Sequence, residues 1–265
     1  MDNTDNPLAL AAEQFRLWSR IGLRYLPRID FPEPPPEEPE QPESAPPAKT
    51  TSPNSRKEHS AVSENPPLPI SPPSGNWDTL SAARSEAQSC HGCTLANTRQ
   101  TVVFGEGDPH ARLMFVGEAP GRDEDEQGLP FVGRSGKLLT KMIEAMGLSR
   151  EEVYIANVLK CRPPNNRDPR PDEAAACRPY LEAQIRLIAP EIIVCLGRHA
   201  AIRLLGMERP LRAMRGTFHH YKDNKQTRIA VTYHPAYCLR NPASKKDVWE
   251  DLKKVLAELG MPVPK

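Results

Sequence analysis

Four cysteines fall in two pairs, Cys90-x2-Cys93 and, further on, Cys161 and Cys177 with fifteen residues between them. This spacing constrains the fold more than any other feature of the chain. A two-residue gap lets two thiolates face one metal centre, and the second pair completes a four-thiolate shell. Both zinc and iron–sulfur clusters accept such a shell, so spacing alone leaves the two open. Any fold of this chain must therefore bring the Cys90 and Cys161 segments together. The remaining cysteines read differently. Cys195 sits in the apolar run Ile192–Leu196 and reads as a small core residue, and Cys238 follows Tyr237 in a loop. A disulfide framework does not suit a chain of this size without a recognisable signal peptide.

Proline usage divides the 265 residues. Fourteen of the 30 prolines lie between Pro32 and Pro73, in a stretch rich in Glu and Ser and poor in aliphatic residues. Such a stretch cannot bury enough apolar surface to offset its ordering entropy, so it reads as a disordered linker. The expected organisation is an isolated amphipathic helix within residues 1–30, a Pro/Glu-rich linker over 31–78, and a folded domain over 79–265. Ala11, Phe15, Trp18 and Tyr25 share one face of the first segment, which suits docking on a protein partner. Charge follows the same division: residues 1–78 carry a net −5 and residues 79–265 a net +6. A mildly basic domain suits a polyanion partner. No apolar run approaches the ~20 residues that span a bilayer, and the expectation is a cytoplasmic monomer with no membrane association.

Beyond residue 79, apolar runs alternate with helical periodicity. Arg112–Val116, Val153–Val158 and Glu191–Leu196 read as buried strands, and Gly216–Tyr221 and Ile229–Tyr233 as further strands. Leu138, Leu139, Met142, Ile143 and Met146 form a helical stripe ended by Gly147. Pro171 with Asp172 and Glu173 opens a helix that carries Cys177. Arg198–Leu205 is another helix, and Ser244-x-x-Asp247 opens the last one with a capping box. This alternation predicts a three-layer α/β/α sandwich around a mostly parallel sheet. Ligands of such sheets bind outside the carboxyl ends of the strands.

Three polar clusters fall at those ends. They are Gly117-Glu118-Ala119-Pro120-Gly121, continuing through Glu124 to Gly128-Leu129-Pro130-Phe131-Val132-Gly133; Asn157 through Pro164; and His234-Pro235-Ala236-Tyr237. Taken in order with the cysteine spacing, these motifs resemble the family 4, iron–sulfur, uracil-DNA glycosylases. The resemblance runs from about Cys90 to Gly260 and leaves residues 1–78 unexplained.

The resemblance implies a DNA repair enzyme that flips uracil out of single- or double-stranded DNA and hydrolyses its N-glycosidic bond. It implies a [4Fe-4S] cluster held by Cys90, Cys93, Cys161 and Cys177. Phe131 matches the family's stacking aromatic, Asn157 the residue that reads the Watson–Crick edge, and Gly117 the start of the pocket motif. His234 matches the residue beside the base's O2, where a neutral donor stabilises the departing anion. Leu239 or Arg240 would wedge into the duplex. The aspartate that activates water in the best-known uracil-DNA glycosylases is replaced here by Ala119, which leaves Glu118 first, and Glu124 second, as the water-positioning group. Between Cys161 and Cys177 there is no histidine, the residue that traps uracil covalently in a related branch, so turnover is expected. The competing reading is a non-catalytic iron–sulfur nucleic-acid-binding protein on the same fold.

Overall fold

The computed structural model describes residue 71, residues 73–222 and residues 224–264. The expected helix within residues 1–30 and nearly all of the linker lie outside the described residues.

Six strands form one sheet: β1 (Glu106–Gly107), β2 (Leu113–Gly117), β3 (Tyr154–Asn157), β4 (Ile192–Leu196), β5 (His219–Tyr221) and β6 (Asn224–Thr232). Their spatial order is β1-β3-β2-β4-β6-β5. The four central strands are parallel, and the short edge strands β1 and β5 pair antiparallel. The four parallel strands end level with one another. Gly117 pairs with Asn157, Val116 with Cys195, and Leu196 with Thr232. The chain leaves β2 to one side for β3 and then crosses to the other side for β4. This reversal opens a crevice at the carboxyl ends, where the polar clusters sit.

β2, β3 and β4 are buried on both faces, as their continuous apolar runs require. Met114 and Val116 point into one layer, Leu113 and Phe115 into the other. The first layer is built by α1 (Leu80–Gln88), α4 (Pro171–Ile188), α5 (Arg198–Leu205) and α6 (Leu211–Met214). The second is built by α3 (Arg134–Ala145), α7 (Pro235–Arg240) and α8 (Ser244–Glu258). A short helix, α2 (Arg122–Gln127), follows the first polar cluster. The three-layer architecture is the one expected.

Three local expectations need correction. The packed chain reaches back past residue 79: Trp77 is 4% exposed and stacks on Tyr180 with ring centroids 4.8 Å apart. Its indole N–H donates to Glu86, which also accepts from the backbone and hydroxyl of Ser74. The last helix lacks its capping box. Ala243 is the cap, and the Ser244 hydroxyl donates to the Asn241 carbonyl inside the preceding turn. Cys238 is not in a loop but lies buried in α7, because Pro235 starts a helix immediately after His234.

Candidate active site and four-cysteine centre

Gly117 ends β2, and its missing side chain makes the crevice. A Cβ built there would lie 2.4 Å from Asn157 Oδ1 and 2.5 Å from the tip of the Phe131 ring, closer than atoms pack. The two side chains thus converge on the glycine. Asn157, at the end of the adjacent β3, is 1% exposed, and its Oδ1 is buried with no hydrogen-bond partner among the described residues. Buried acceptors are almost always paired within the fold, and one aimed into a crevice is available to a ligand donor.

Phe131 is held in a backbone conformation that most residues avoid, with φ +53°. Three neighbours impose it. Arg150 donates to the carbonyl oxygens of Pro130 (2.8 Å) and Phe131 (3.1 Å). The first turn of α3 crosses so closely that a Cβ on Gly136 would meet the Phe131 carbonyl oxygen at 1.9 Å. Glu124 accepts from the backbone N–H groups of Gly121 (3.1 Å), Val132 (2.9 Å) and Gly133 (2.9 Å). One carboxylate oxygen is held by the loop that carries Phe131, through Val132 and Gly133, and the other by Gly121 at the start of its own helix.

His234 caps α7. Its Nδ1 accepts from the Ala236 N–H at 3.1 Å, which leaves Nε2 as the protonated ring nitrogen of the neutral tautomer. Its ring lies 5.7 Å from that of Phe131. Burial, with the Arg240 charge adding to it, pushes its pKa down to about 4, so the imidazole is neutral at physiological pH. Opposite stands Glu118, whose carboxyl is pushed above its ordinary value by burial. His199 Nδ1 lies 3.6 Å from Glu118, and His199 Nε2 lies 3.8 Å from Asp168. The three side chains form a loose cluster at the rim, with Asp168 well exposed. Sequence reasoning did not single out His199 or Asp168; neither carries a motif, and only the fold brings α5 and the loop before α4 to Glu118.

Glu118, Glu124, Phe131, Asn157 and His234 line one cavity of about 420 Å³, together with Ala236, Tyr237 and Arg240. Leu239 is one of the few exposed large apolar side chains among the described residues and stands on α7, which also carries Ala236, Tyr237 and Arg240.

On the other side of the segment 157–161, Cys90, Cys93, Cys161 and Cys177 line a second, small cavity with Arg99, Lys160 and Tyr180. All four are free cysteines. Three of the sulfurs receive N–H donors: Cys90 from Gly92 (3.3 Å), Cys161 from the Arg99 guanidinium (3.3 Å), and Cys177 from the Lys160 backbone (3.2 Å). Burial pushes the Cys161 thiol up to about 11 and the Cys177 thiol up to about 12, values that metal ligation inverts. Tyr180 lines the same cavity, with its hydroxyl buried. Four cysteines lining one cavity, three of their sulfurs met by N–H donors, fit a thiolate-ligated metal centre. Cys195 does not line this cavity and is buried in β4.

A mostly parallel sheet with a crevice at its switch point defines an α/β protein with its ligand site at the strand ends, and comparison identifies the family. The chain belongs to the uracil DNA glycosylase superfamily, which residues 104–253 match. It is similar to proteins named type-4 uracil-DNA glycosylase. That of Sulfurisphaera tokodaii is 48% identical over 184 residues, covering 67% of this chain and 84% of the relative. That of Archaeoglobus fulgidus is 46% identical over 175 residues, covering 64% and 88%. That of Thermotoga maritima is 42% identical over 180 residues, covering 67% and 93%.

Proposed function

We propose that this chain is a uracil-DNA glycosylase of DNA repair, which takes a flipped deoxyuridine into the crevice and hydrolyses the bond between uracil N1 and the sugar C1′. The observation that carries the reading is the buried, unpartnered Oδ1 of Asn157 beside the Phe131 ring. Uracil presents N3–H as a donor and O4 as an acceptor, so an Asn157 amide can accept from one and donate to the other. Cytosine presents the reverse pattern and would leave both groups unpaired, which favours strong discrimination. Phe131, held by Arg150 and Glu124, offers a flat face for stacking before the bond breaks.

As N1–C1′ breaks, the bonding electrons go to the base and leave a sugar cation. His234, neutral and protonated on Nε2, is suited to donate a hydrogen bond to the anionic base at O2 without transferring its proton. Water adds to C1′ and loses a proton, the uracil anion takes up a proton from solvent, and free uracil and an abasic site result. Glu118 is the group suited to orient that water and take up the proton. Glu124 is not, because its oxygens are engaged by three backbone N–H groups; its role is to position the Phe131 loop.

The four cysteines would hold a [4Fe-4S] cluster, whose ligation ties the segments around Cys90, Cys161 and Cys177 together and supplies no step of hydrolysis. Leu239 and Arg240, on the rim at α7, remain the wedge candidates. The deciding experiment incubates the protein with a labelled oligonucleotide containing one uracil. Release of free uracil with formation of an alkali-labile site supports the proposal. Retarded migration of the DNA with no base release would instead support a non-catalytic binding protein.

A further inference from the structure

The segment Asn157–Cys161 connects the crevice to the four-cysteine centre, and one buried side chain spans it. Lys160 is 1% exposed. Its Nζ donates to the carbonyl oxygen of Asn157 (2.8 Å) and to Gln184 Oε1 (2.6 Å), and its backbone N–H donates to Cys177 Sγ. The ammonium lies 5.8 Å from the centre of the Phe104 ring. Among the described residues no carboxylate pairs with it; both oxygen partners are neutral. Gln184 is itself fixed, donating to the Phe104 carbonyl at 2.8 Å and contacting the Tyr154 hydroxyl at 3.2 Å. It packs so tightly that a Cβ on Gly105 would meet its Nε2 at 3.0 Å.

One end of this segment lies at the four-cysteine cavity, which Lys160 itself lines. At the other end, no hydrogen bond among the described residues holds Asn157 Oδ1, so the amide is placed by its backbone and by close packing at Gly117. That backbone is gripped by Lys160 and by the pairing of the Val158 N–H with the Gly117 carbonyl (2.9 Å).

We propose that Lys160, braced by Gln184, is a positioning residue that aligns the base-reading amide of Asn157 and so sharpens base selectivity. Lys160 does not touch the base and takes no part in bond cleavage. The proposal rests on the reading that Asn157 recognises uracil.

The test uses the full chain and the variants Lys160→Met and Gln184→Met. The readouts are bound iron, melting temperature and equilibrium affinity for two DNA duplexes. The duplexes carry the non-hydrolysable 2′-fluoro analogues of deoxyuridine or deoxycytidine at one site. The expected result is that Lys160→Met retains its iron and cooperative melting while the uracil-over-cytosine affinity ratio falls about three- to tenfold, the scale of one hydrogen bond. Full iron with an unchanged ratio overturns the proposal. Should Lys160→Met fail to retain iron, Gln184→Met decides. A reduced ratio with iron bound supports the proposal, and an unchanged ratio overturns it. Loss of iron from both variants also overturns it, because the two side chains would then have no role separable from the core. A parental protein that does not prefer the deoxyuridine analogue refutes the reading of Asn157, independently of Lys160.

Discussion

At the Asn157 end of the segment Asn157–Cys161, a buried acceptor is left without a partner; at the Cys161 end, the sulfurs are met by N–H donors. The crevice end has its rigidity imposed from outside, through Arg150, Glu124 and Gly136 around a loop that would not hold its shape alone. The cysteine end is drawn together by the groups that line it. A site meant for a transient guest keeps its hydrogen-bonding capacity open and fixes its walls from behind. A centre meant for a permanent occupant directs its donors inward.

The comparison can be broken most forcefully at the cysteines. Cys161→Ser is expected to lose the metal and to lose most of its native structure, whereas Cys195→Ser should keep the metal. Iron analysis and visible absorbance after anaerobic purification check both, and stoichiometric zinc in a colourless parental protein would refute the cluster.

Next in size is the core beneath the same centre. Trp77→Ala should cost about 3–5 kcal/mol, the range for emptying a buried aromatic position. Removal of residues 1–78 takes Trp77 with it and should lower the melting temperature sharply.

At the crevice end the expected effects are kinetic. His234→Ala should slow single-turnover excision by about 10²–10³ with little change in DNA affinity, since its donor matters once charge has developed. The histidine also links folding to pH. Its folded pKa of about 4 lies below the ordinary 6.5, so the unfolded chain takes up a proton that the folded crevice refuses. This contribution to stability is fully present above about 6.5 and is lost as the pH falls toward 4; chemical denaturation of His234→Ala should show a shallower decline across that window.

The smallest effects separate the two carboxylates. Glu124→Gln should destabilise by about 1–3 kcal/mol, as expected for a buried charged acceptor that loses its match to backbone donors, without moving the acid limb of the pH–rate profile. Glu118→Gln should leave stability nearly unchanged and flatten that limb. The reverse assignment of the two effects would exchange their roles.

Much of this was legible in the chain because it is carried by local pattern. Strand ends follow from apolar runs meeting Gly117, Asn157 and Thr232, and the convergence of the cysteines follows from their spacing. What was not legible depends on where distant segments meet. The role of Glu124 is set by amides nine residues on, in a loop whose course nothing local dictates. His199 reaches Glu118 only because α5 packs beside β2, and Lys160 meets Gln184 only because α4, within the first layer, packs against the sheet. Trp77 sits in a proline-rich context that reads as linker, and its burial depends on Tyr180, far along the chain. The Ser244-x-x-Asp247 pattern misled because the preceding turn engages the serine hydroxyl first.

Gly117 has one more consequence. A methyl group at this position would behave as a competitor tethered inside the crevice, pressing on the Phe131 ring and the Asn157 amide together. A free competitor yields to excess substrate; a tethered one does not. The damage would therefore survive at saturating DNA, as a loss of maximal rate, in a protein whose sheet and cysteine centre are otherwise whole.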